Sequence, residues 1–512
     1  MGALHTIETN PASLITSDCS SARGAIGTVV LVPHGSNDAE VAFKVTAGFG
    51  RTVADCLGNF GPGCIVARRA LRYLPHTPLF VPVSLDADCD GIACGETTTC
   101  SHGNCVTATV DPNACAAPGG CSNGTDAGPP GSFHDVANPA YWSTFNVGSL
   151  QGGPNGFGGV VFDGRFVHFV PNFGSTYDGL VARYDTQGVF NAASGWTTFD
   201  TSTVNPGAIG FEGGAFDGRY VYFVPNHNTS EDGLVTRYDT QAAFGTSASW
   251  STFDVATVNP GAIGFQGGVF DGRYLYLVPY RDPGPDGIVA RYDTQSAFNA
   301  LGSWATFDLS FFNAAANGFA GGTFDGRYVY FVPATGTTVA RYDTQGGFGT
   351  LDAWSRFDLK SVYPSVSSFL GAVFDERYVY FIPKINGVVA RYDTQGAFES
   401  AAGWGTFDVS SVNASAMVFA GGAFDGRYVY LVPGYTPGAS TMLMRYDTNA
   451  MFTTGSAWSG FDLGSLGIRA GNFGAAFDGE FLYISPLQGT VSARFDARAP
   501  PALPPGYRGS FF

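Results

Sequence analysis

The chain has 512 residues, enough for about two to four domains, and its 42 acidic against 26 basic residues give a formal net charge of −16. This charge argues against a nucleic-acid partner and against anionic membranes, because both attract basic surfaces. With 71 glycines, 44 phenylalanines and only 13% charged residues, the composition is typical of a turn-rich all-β protein and not of a disordered one.

Residues 1–85 carry short apolar runs rich in β-branched side chains. The runs at 27–33, 41–48, 64–74 and 79–83 predict strands. Together they predict a small β-sandwich.

A cysteine-rich segment, residues 86–122, follows. All nine cysteines of the chain lie between Cys19 and Cys121. The segment itself holds six of them: Cys89, Cys94, Cys100, Cys105, Cys115 and Cys121. It has too little apolar content to bury a core, so we predict that disulfides hold it together, each contributing roughly 2 to 4 kcal/mol. The sequence leaves their connectivity open.

The cysteines also bear on location. Residues 1–18 contain no apolar h-region, and no stretch of the sequence approaches the length of a membrane span. Disulfides nevertheless form in oxidising compartments, so we expect an extracellular or cell-surface protein. We therefore expect the given start of the chain to be processed, trimmed or misassigned.

The same segment offers two metal-binding alternatives. Closely spaced cysteines with His102 would suit zinc, although no C-x2-C pair occurs. Asp86-x-Asp88-x-Asp90-Gly91 matches the opening of a calcium loop, but its twelfth position, which should be a bidentate glutamate, is Thr97. We predict an acidic, disulfide-braced turn, with calcium as the alternative.

A repeat of 50 to 54 residues fills positions 134–497, between a linker at 123–133 and a proline-rich tail at 498–512. Its marker is a Phe-Asp-Gly-Arg type corner that recurs seven times, at Asp163, Asp217, Asp271, Asp325, Asp375, Asp425 and Asp478. A regular period of this size indicates a solenoid, a propeller or an array.

One repeat contains four short strands and no long helix. Residues 267–270 and 273–278 predict strands A and B, joined at Asp271-Gly272 by a tight primed turn with two positive φ angles. Residues 287–292 predict strand C, and a tryptophan opens strand D at 304–307. Four antiparallel strands in roughly 50 residues is the size of a propeller blade, and strand B is apolar on both faces, as a sheet covered by its neighbours requires.

The tryptophans place the closure of the ring. Trp142 precedes the first A strand, whereas the last repeat has strands A, B and C with no tryptophan after them. We predict that residues 141–145 supply its fourth strand, which removes the exposed edges of an open array. The predicted fold is an all-β, seven-bladed propeller of four-stranded blades.

Two resemblances follow from these motifs. Tyr-Asp before a tryptophan-led strand, after a hairpin ending in Arg-Tyr-Val-Tyr, resembles Kelch-like propellers over roughly residues 141–497, although Kelch repeats carry Gly-Gly where this strand B ends in Val-Pro or Ile-Pro. CIVARRALRYLPHTPL followed by CDGIACGETTTCSHGNC resembles the sandwich and Cys-rich preface of bacterial cell-surface proteins. The first resemblance implies a fold and the second a location, and neither implies an activity.

No catalytic constellation is apparent in the repeats. They hold only His134, His168 and His227, too few for an oxidase-type metal centre, and they lack the sialidase Asp-box, a Gly-x-Ser-x-Gly elbow and a phosphate-binding glycine loop. The repeated aspartates of the Asp-Gly corners and Tyr-Asp-Thr segments are interpreted as structural, because both places need a short acceptor for backbone N–H groups. Neither a cofactor nor a metal is expected in the propeller.

Recognition is predicted on the variable B–C loops, which should share one face with the D–A loops. The residue after the first phenylalanine of strand A also varies and should ring one mouth of the channel: Gly158, Glu212, Gln266, Ala320, Leu370, Ala420 and Gly474. The polar cluster that we select as a candidate ligand-binding site is Glu212, Gln266, His227, Glu231, Tyr280 and Arg281. The alternative is an ordinary solvated loop surface.

Three functions are compatible with these observations. The first is a secreted or cell-surface binding module that presents variable loops to a protein or a glycan. The second is an enzyme that acts on glycans through an acidic pair at the channel mouth. The third is a self-associating structural surface subunit, and the sequence leaves the oligomeric state open.

Overall fold

The computed structural model describes residues 7, 40–48, 51–72, 81, 83, 85, 89–101, 103–111, 133–174, 176–280, 287–311, 317–435 and 439–497. The chain divides into two units, and the larger one is His134–Ala497. In this unit seven antiparallel sheets of four strands each form the blades of a propeller, so the predicted fold class is confirmed.

The propeller strands recur in the order A, B, C, D. The A strands are β6 Phe157–Phe162, β10 Phe211–Phe216, β14 Phe265–Phe270, β18 Phe319–Phe324, β22 Phe369–Phe374, β26 Phe419–Phe424 and β30 Asn472–Phe477. The B strands are β7 Phe166–Pro171, β11 Tyr220–Pro225, β15 Tyr274–Pro279, β19 Tyr328–Pro333, β23 Tyr378–Pro383, β27 Tyr428–Pro433 and β31 Phe481–Pro486. The C strands are β8 Leu180–Asp185, β12 Leu234–Asp239, β16 Ile288–Asp293, β20 Thr338–Asp343, β24 Val388–Asp393, β28 Met442–Asp447 and β32 Val491–Asp496.

Each D strand begins at a tryptophan. The D strands are β9 Trp196–Asp200, β13 Trp250–Asp254, β17 Trp304–Asp308, β21 Trp354–Asp358, β25 Trp404–Asp408, β29 Trp458–Asp462 and β5 Trp142–Asn146. One turn of 3-10 helix precedes each of these tryptophans, at Pro139–Tyr141, Ala193–Gly195, Ser247–Ser249, Leu301–Ser303, Leu351–Ala353, Ala401–Gly403 and Gly455–Ala457. Another follows each D strand, at Val147–Ser149, Thr201–Thr203, Val255–Thr257, Leu309–Phe311, Leu359–Ser361, Val409–Ser411 and Leu463–Leu466.

The seventh blade is closed by the N-terminal strand β5. It pairs antiparallel with β32, from Val491 opposite Asn146 to Phe495 opposite Trp142, and completes the strand order β30-β31-β32-β5. The predicted closure is therefore confirmed. The two ends of the propeller sequence hold each other in one sheet.

Each A–B hairpin is built on the corner aspartate. In the third blade Asp271 Oδ1 accepts the backbone N–H groups of Arg273 and Tyr274, and Oδ2 accepts the Tyr276 hydroxyl at 2.7 Å. Only the glycine takes a positive φ, 98° at Gly272, so the predicted primed turn with two positive φ angles is wrong. The carboxylate satisfies the N–H groups of the turn, and the structural interpretation of the corner aspartates is confirmed.

Aromatic stacking joins the blades along the outer rim. Every D-strand tryptophan stacks on the D-strand phenylalanine of the preceding blade: Phe145–Trp196, Phe199–Trp250, Phe253–Trp304, Phe307–Trp354, Phe357–Trp404, Phe407–Trp458 and Phe461–Trp142. The Phe461–Trp142 pair, with ring centroids 5.0 Å apart, lies across the closure. Such pairs contribute about 0.5 to 1.5 kcal/mol each beyond burial, so the rim reinforces the ring on all sides.

The arginine of strand C makes a second contact between blades. Arg237 donates from Nη1 to the hydroxyl of Tyr292 in the next blade at 3.3 Å. Its guanidinium carbon lies 3.9 Å from the ring centroid of Tyr220 and 4.1 Å from that of Phe298. The cation is thus sandwiched between two rings while its N–H groups remain hydrogen-bonded.

The N-terminal unit contains two small antiparallel sheets in its described part. β1 Glu40–Gly48 pairs with β2 Cys64–Arg72, β3 Thr98–Ser101 pairs with β4 Asn104–Thr107, and a short helix α1, Val53–Gly58, follows β1. The strand predicted at 41–48 is thereby confirmed, and the one predicted at 64–74 is confirmed as far as Arg72, where the described residues end. In the run at 79–83 only Val81 and Val83 are described, and neither lies in a strand. The strand predicted at 27–33 lies outside the described residues, and the β-sandwich stays a prediction.

The described part of this unit contains three disulfides, Cys56–Cys64, Cys89–Cys100 and Cys94–Cys105. Four of the six cysteines predicted to be bonded are therefore bonded to each other, which contradicts the zinc alternative for them. Cys115 and Cys121 lie outside the described residues.

The metal-binding alternatives find no support in the described residues. Asp90 Oδ1 accepts the Gly63 N–H at 2.6 Å, whereas Asp86, Asp88 and His102 lie outside the part that the structure describes. Within that part, no group of three or more metal-ligating side chains converges. The calcium alternative for the loop therefore stays untested.

In the described part of the chain, no helix has the length and apolar character that a transmembrane span needs.

Candidate functional site at the channel mouth

The central axis of the propeller is lined by backbone. Each A strand contains a β-bulge, and the glycine in it has a positive φ: Gly159, Gly213, Gly267, Gly321, Gly371, Gly421 and Gly474. A Cβ on Gly213 would lie 2.7 Å from the Cα of Gly267, and a Cβ on Gly267 would lie 2.8 Å from the Cα of Gly321. These positions therefore require glycine, and the seven of them form a closed ring around the axis.

Side chains reappear one position earlier in each A strand and form the mouth of the channel. This ring consists of Gly158, Glu212, Gln266, Ala320, Leu370, Ala420 and Phe473. The cavity there, about 170 Å³ in volume, is lined by the bulge glycines together with Gln266, Ala320, Leu370, Ala420 and Phe473.

One predicted member of the ring is wrong. Asn472, not Phe473, pairs with the proline that ends strand B, as Phe211 does in the second blade. Strand A of the last blade therefore begins with asparagine, and Phe473 occupies the mouth position. Gly474 belongs to the glycine ring instead.

The polar part of the mouth is the pair of Glu212 and Gln266. Gln266 is only 5% exposed, and its Nε2 donates to Glu212 Oε1 at 2.9 Å. The Oε1 of Gln266 is buried with no hydrogen-bond partner among the described residues. Burial raises the pKa of Glu212 to about 7, and the positive charge of Lys384 opposes that rise.

Lys384 reaches the same mouth from the fifth blade, although the sequence analysis did not select it. It follows the proline that ends β23, and its Nζ lies 3.5 Å from the carbonyl oxygen of Ala334. Burial lowers the pKa of the Lys384 ammonium, and the Glu212 carboxylate counteracts the effect. The residue after this proline differs between blades, except that the first two blades both have asparagine. That variation could have identified Lys384 from the sequence.

The two asparagines at this position, Asn172 and Asn226, have structural partners. Their Nδ2 groups donate to the carbonyl oxygens of Phe211 and Phe265 at 2.7 and 2.9 Å. Each amide therefore links the end of strand B to the next A strand.

A second cavity, about 280 Å³ in volume, lies on the loops of the first three blades. It is lined by Tyr177, Asn226, His227, Glu231 and Tyr280. The Tyr177 and His227 rings stack with centroids 4.7 Å apart, and His227 forms an isolated β-bridge with Glu231. Burial raises the pKa of Tyr177, and the negative charges of Glu212 and Glu231 add to it. Tyr177, which was not among the predicted site residues, therefore interacts electrostatically both with Glu212 at the mouth and with Glu231 in the second cavity.

Hydrogen bonds between them confirm that the B–C and D–A loops share one face. The Gly210 N–H donates to the Asp178 carbonyl oxygen at 3.0 Å, and Asn228 Nδ2 donates to the Gly207 carbonyl oxygen at 3.2 Å. Of the six predicted site residues, five lie on this face, and Arg281 lies outside the described residues. The structure brings Glu212 together with Gln266, and His227 together with Glu231 and Tyr280.

The architecture defines the protein as a member of the seven-bladed β-propeller class. No family model and no curated protein matches the sequence. Similar solved structures include a virginiamycin B lyase from Staphylococcus aureus, with 12% identity, a TM-score of 0.46, and coverage of 69% of this chain and 98% of that chain. They also include the Cps50 (Swd1) β-propeller domain from Myceliophteria thermophila, with 11% identity, a TM-score of 0.46, and coverage of 67% and 96%. A third is YCF48 bound to a D1 peptide, with 12% identity, a TM-score of 0.45, and coverage of 71% and 97%. Similarity at this level concerns the fold alone.

Proposed function

We propose that this protein is a secreted or cell-surface binding module that recognises a protein or a glycan with the loop face around the channel mouth. The observation that carries the proposal is a local break in the repeat. The strands of the blades are nearly identical, whereas Glu212, Gln266, Tyr177 and His227 gather polar and aromatic side chains on one sector of that face. Variable side chains on a rigid frame are a common basis of recognition.

The frame supports this role because it holds the loops in place. Strands B and C of each blade are buried between neighbouring blades, and stacking along the rim and arginine bridges connect the blades. A site positioned in this way loses little conformational freedom on binding, which favours affinity.

An extracellular location is supported by the three disulfides of the N-terminal unit. Such bonds persist in oxidising compartments and are rare in the cytosol. The Kelch-like and bacterial cell-surface relationships belong to this proposal as well, on the sequence patterns that suggest them.

The test is a binding screen of the intact chain on glycan and peptide arrays, followed by titration of the strongest ligand. Glu212→Ala and His227→Ala should each weaken binding about tenfold or more, as truncation of a central contact does. Gln241→Ala is the matched control, because Gln241 is exposed in the Asp-Thr-Gln turn between strands C and D of the second blade. The proposal is wrong if both loop-face variants bind like the unmodified protein.

A second candidate function, a glycan-cleaving enzyme, is favoured by one observation. Burial raises the pKa of the Glu212 carboxyl group to about 7, which suits a general acid near neutral pH, and Glu231 supplies a second acidic side chain on the same loop face. Incubation of the array ligand with the protein distinguishes the two candidates. Cleavage that Glu212→Gln abolishes would favour the enzyme, and binding without product would favour the module.

A further inference from the structure

The mouth of the channel holds a buried polar atom, Gln266 Oε1, that has no hydrogen-bond partner among the described residues. Gln266 donates through Nε2 to Glu212, but its Oε1 has no donor among the described residues. The residue is only 5% exposed. A buried amide oxygen without a partner is unfavourable, and a hydrogen-bond donor from a ligand would relieve it. The nearby amides of Asn172 and Asn226 differ, since both already bind backbone carbonyl groups.

The opposite side of the same mouth is apolar. Ala320, Leu370 and Ala420 are buried in one cluster, and Phe473 and Tyr280 pack against it. The cavity of about 170 Å³ is lined by Gln266 and by these apolar residues, so one small ligand would meet an amide side chain at one edge and hydrocarbon at the other.

The charges around the mouth disfavour a charged ligand. An anion would meet the carboxyl groups of Glu212 and Glu231 on a chain with a net charge of −16. A cation would have to compete with Lys384, whose positive charge already interacts with the Glu212 carboxylate. The remaining chemistry is a neutral group with hydroxyl donors along one edge and C–H bonds on one face, and that combination is characteristic of a sugar ring.

We infer, on the basis of the proposed binding function, that the channel mouth binds a single neutral sugar unit, with a hydroxyl group that donates to Gln266 Oε1 and a C–H face against Leu370 and its apolar neighbours. The sugar would be the end or a branch of a glycan. The polar side chains of the loop cavity would then contact the rest of the glycan.

The test uses the intact chain and the methyl glycosides of glucose, galactose, mannose and N-acetylglucosamine. Saturation-transfer NMR at millimolar sugar should show transfer to the ring C–H protons of at least one glycoside, and calorimetric titration should give its affinity. Gln266→Ala should weaken that affinity about tenfold, since it removes the acceptor. The substitution suits the fold, because Ala320 and Ala420 occupy the same position in other blades. Gln266→Leu, which reproduces Leu370, is the second variant, and Gln295→Ala in the exposed turn of the same blade is the control.

The outcomes separate this inference from the proposed function. If no glycoside binds, or if Gln266→Ala and Gln266→Leu bind as well as the unmodified protein, the sugar assignment is wrong. If the array ligand is then a peptide whose binding is lost in Glu212→Ala and His227→Ala, the loop face still binds, and only the sugar assignment fails. If the array ligand is unaffected by any loop-face variant, both fail.

Discussion

Glu376 is the residue that most clearly departs from the repeat. It occupies the corner position held by glycine in the other blades, and the structure keeps the turn, with φ at 85°. Left-handed backbone costs a residue with a Cβ roughly 1 to 2 kcal/mol. The position is therefore strained, and the turn itself is unchanged, because Asp375 Oδ1 still accepts the backbone N–H groups of Arg377 and Tyr378.

The first prediction concerns this strain. Glu376→Gly should raise the free energy of unfolding by about 1 kcal/mol, because glycine takes positive φ without the Cβ clash. The gain should grow with pH. Burial raises the pKa of Glu376 to about 8, from an ordinary value of 4.5, and the Asp375 charge adds to the rise. The free energy of unfolding of the unmodified protein should therefore be highest below about pH 4.5 and should fall as the pH rises to about 8. Over that range the Glu376 carboxyl group ionises in the unfolded chain but is kept neutral by the fold.

Denaturant unfolding at pH 5 and pH 9 measures both effects. The reverse substitution, Gly326→Glu in the fourth blade, is the matched control and should destabilise the protein. A gain in stability that is equal at the two pH values would contradict the proposed titration of Glu376.

The second prediction separates two tyrosines of one strand. Tyr276→Phe should cost about 1 to 3 kcal/mol, because the buried carboxylate of Asp271 loses a 2.7 Å hydrogen bond. Tyr274→Phe should cost little, since Phe166 and Phe481 stand at the same position in the first and last blades. Thermal unfolding of the two variants provides the comparison, and equal losses would show that the Asp271 bond contributes nothing.

The third prediction belongs to the A strands. Gly213→Ala should destabilise the propeller by about 2 kcal/mol or more, because its Cβ would lie 2.7 Å from the Cα of Gly267 in a packed axis. Gly218→Ala is the control, with a positive φ of 98° but open space around the Cβ, and should cost about 1 kcal/mol. Calorimetry of both variants should show the larger loss of stability at Gly213, and an equal or smaller loss there would contradict close packing of the glycine ring.

The fourth prediction concerns strand β5. Its amide groups pair with β32, and its tryptophan stacks on Phe461, so hydrogen exchange in β5 should be as slow as in β9 of the first blade. Exchange measured by mass spectrometry on the native protein resolves the two strands. Fast exchange throughout β5, with slow exchange in β9, would mean that the ring is open.

Much of the element structure followed from spacing in the sequence. The repeat period and the Asp-Gly corners predicted the strands and their order. Trp142, which precedes the first A strand, predicted the closure. The predicted turn type was wrong because the aspartate side chain accepts the backbone N–H groups of the corner, so that only one residue needs a positive φ. The register of the last A strand was wrong by one residue because Asn472 replaces the phenylalanine used to align the repeats.

The candidate site was only partly predictable for a different reason. Glu212 and Gln266 break a pattern at one position of the repeat, so comparison of the blades finds them. Tyr177 and Lys384 come from loops of different length in blades distant in sequence, and only the ring brings them to the mouth. The bridges from Arg237 to Tyr292 and its counterparts also arise between blades, where the sequence of one repeat gives no distance.

At the scale of the whole molecule, the residues that repeat in every blade and the residues that vary lie in different parts of the propeller. The axis, the rim and the contacts between blades repeat around the ring, whereas the mouth changes from polar in the second and third blades to apolar in the next ones. A ligand that uses this asymmetry would bind in one orientation. We expect the loop face to provide recognition and the repeated frame to provide rigidity.

The most direct measurement of this central claim is a crystal structure of the intact chain with the strongest array ligand bound. Ligand density should lie at the channel mouth, within hydrogen-bond distance of Gln266 or Glu212 and in contact with the loop cavity around His227. Density on the face that carries the Asp-Thr-Gln turns, or on the N-terminal unit, with an empty mouth, would contradict it.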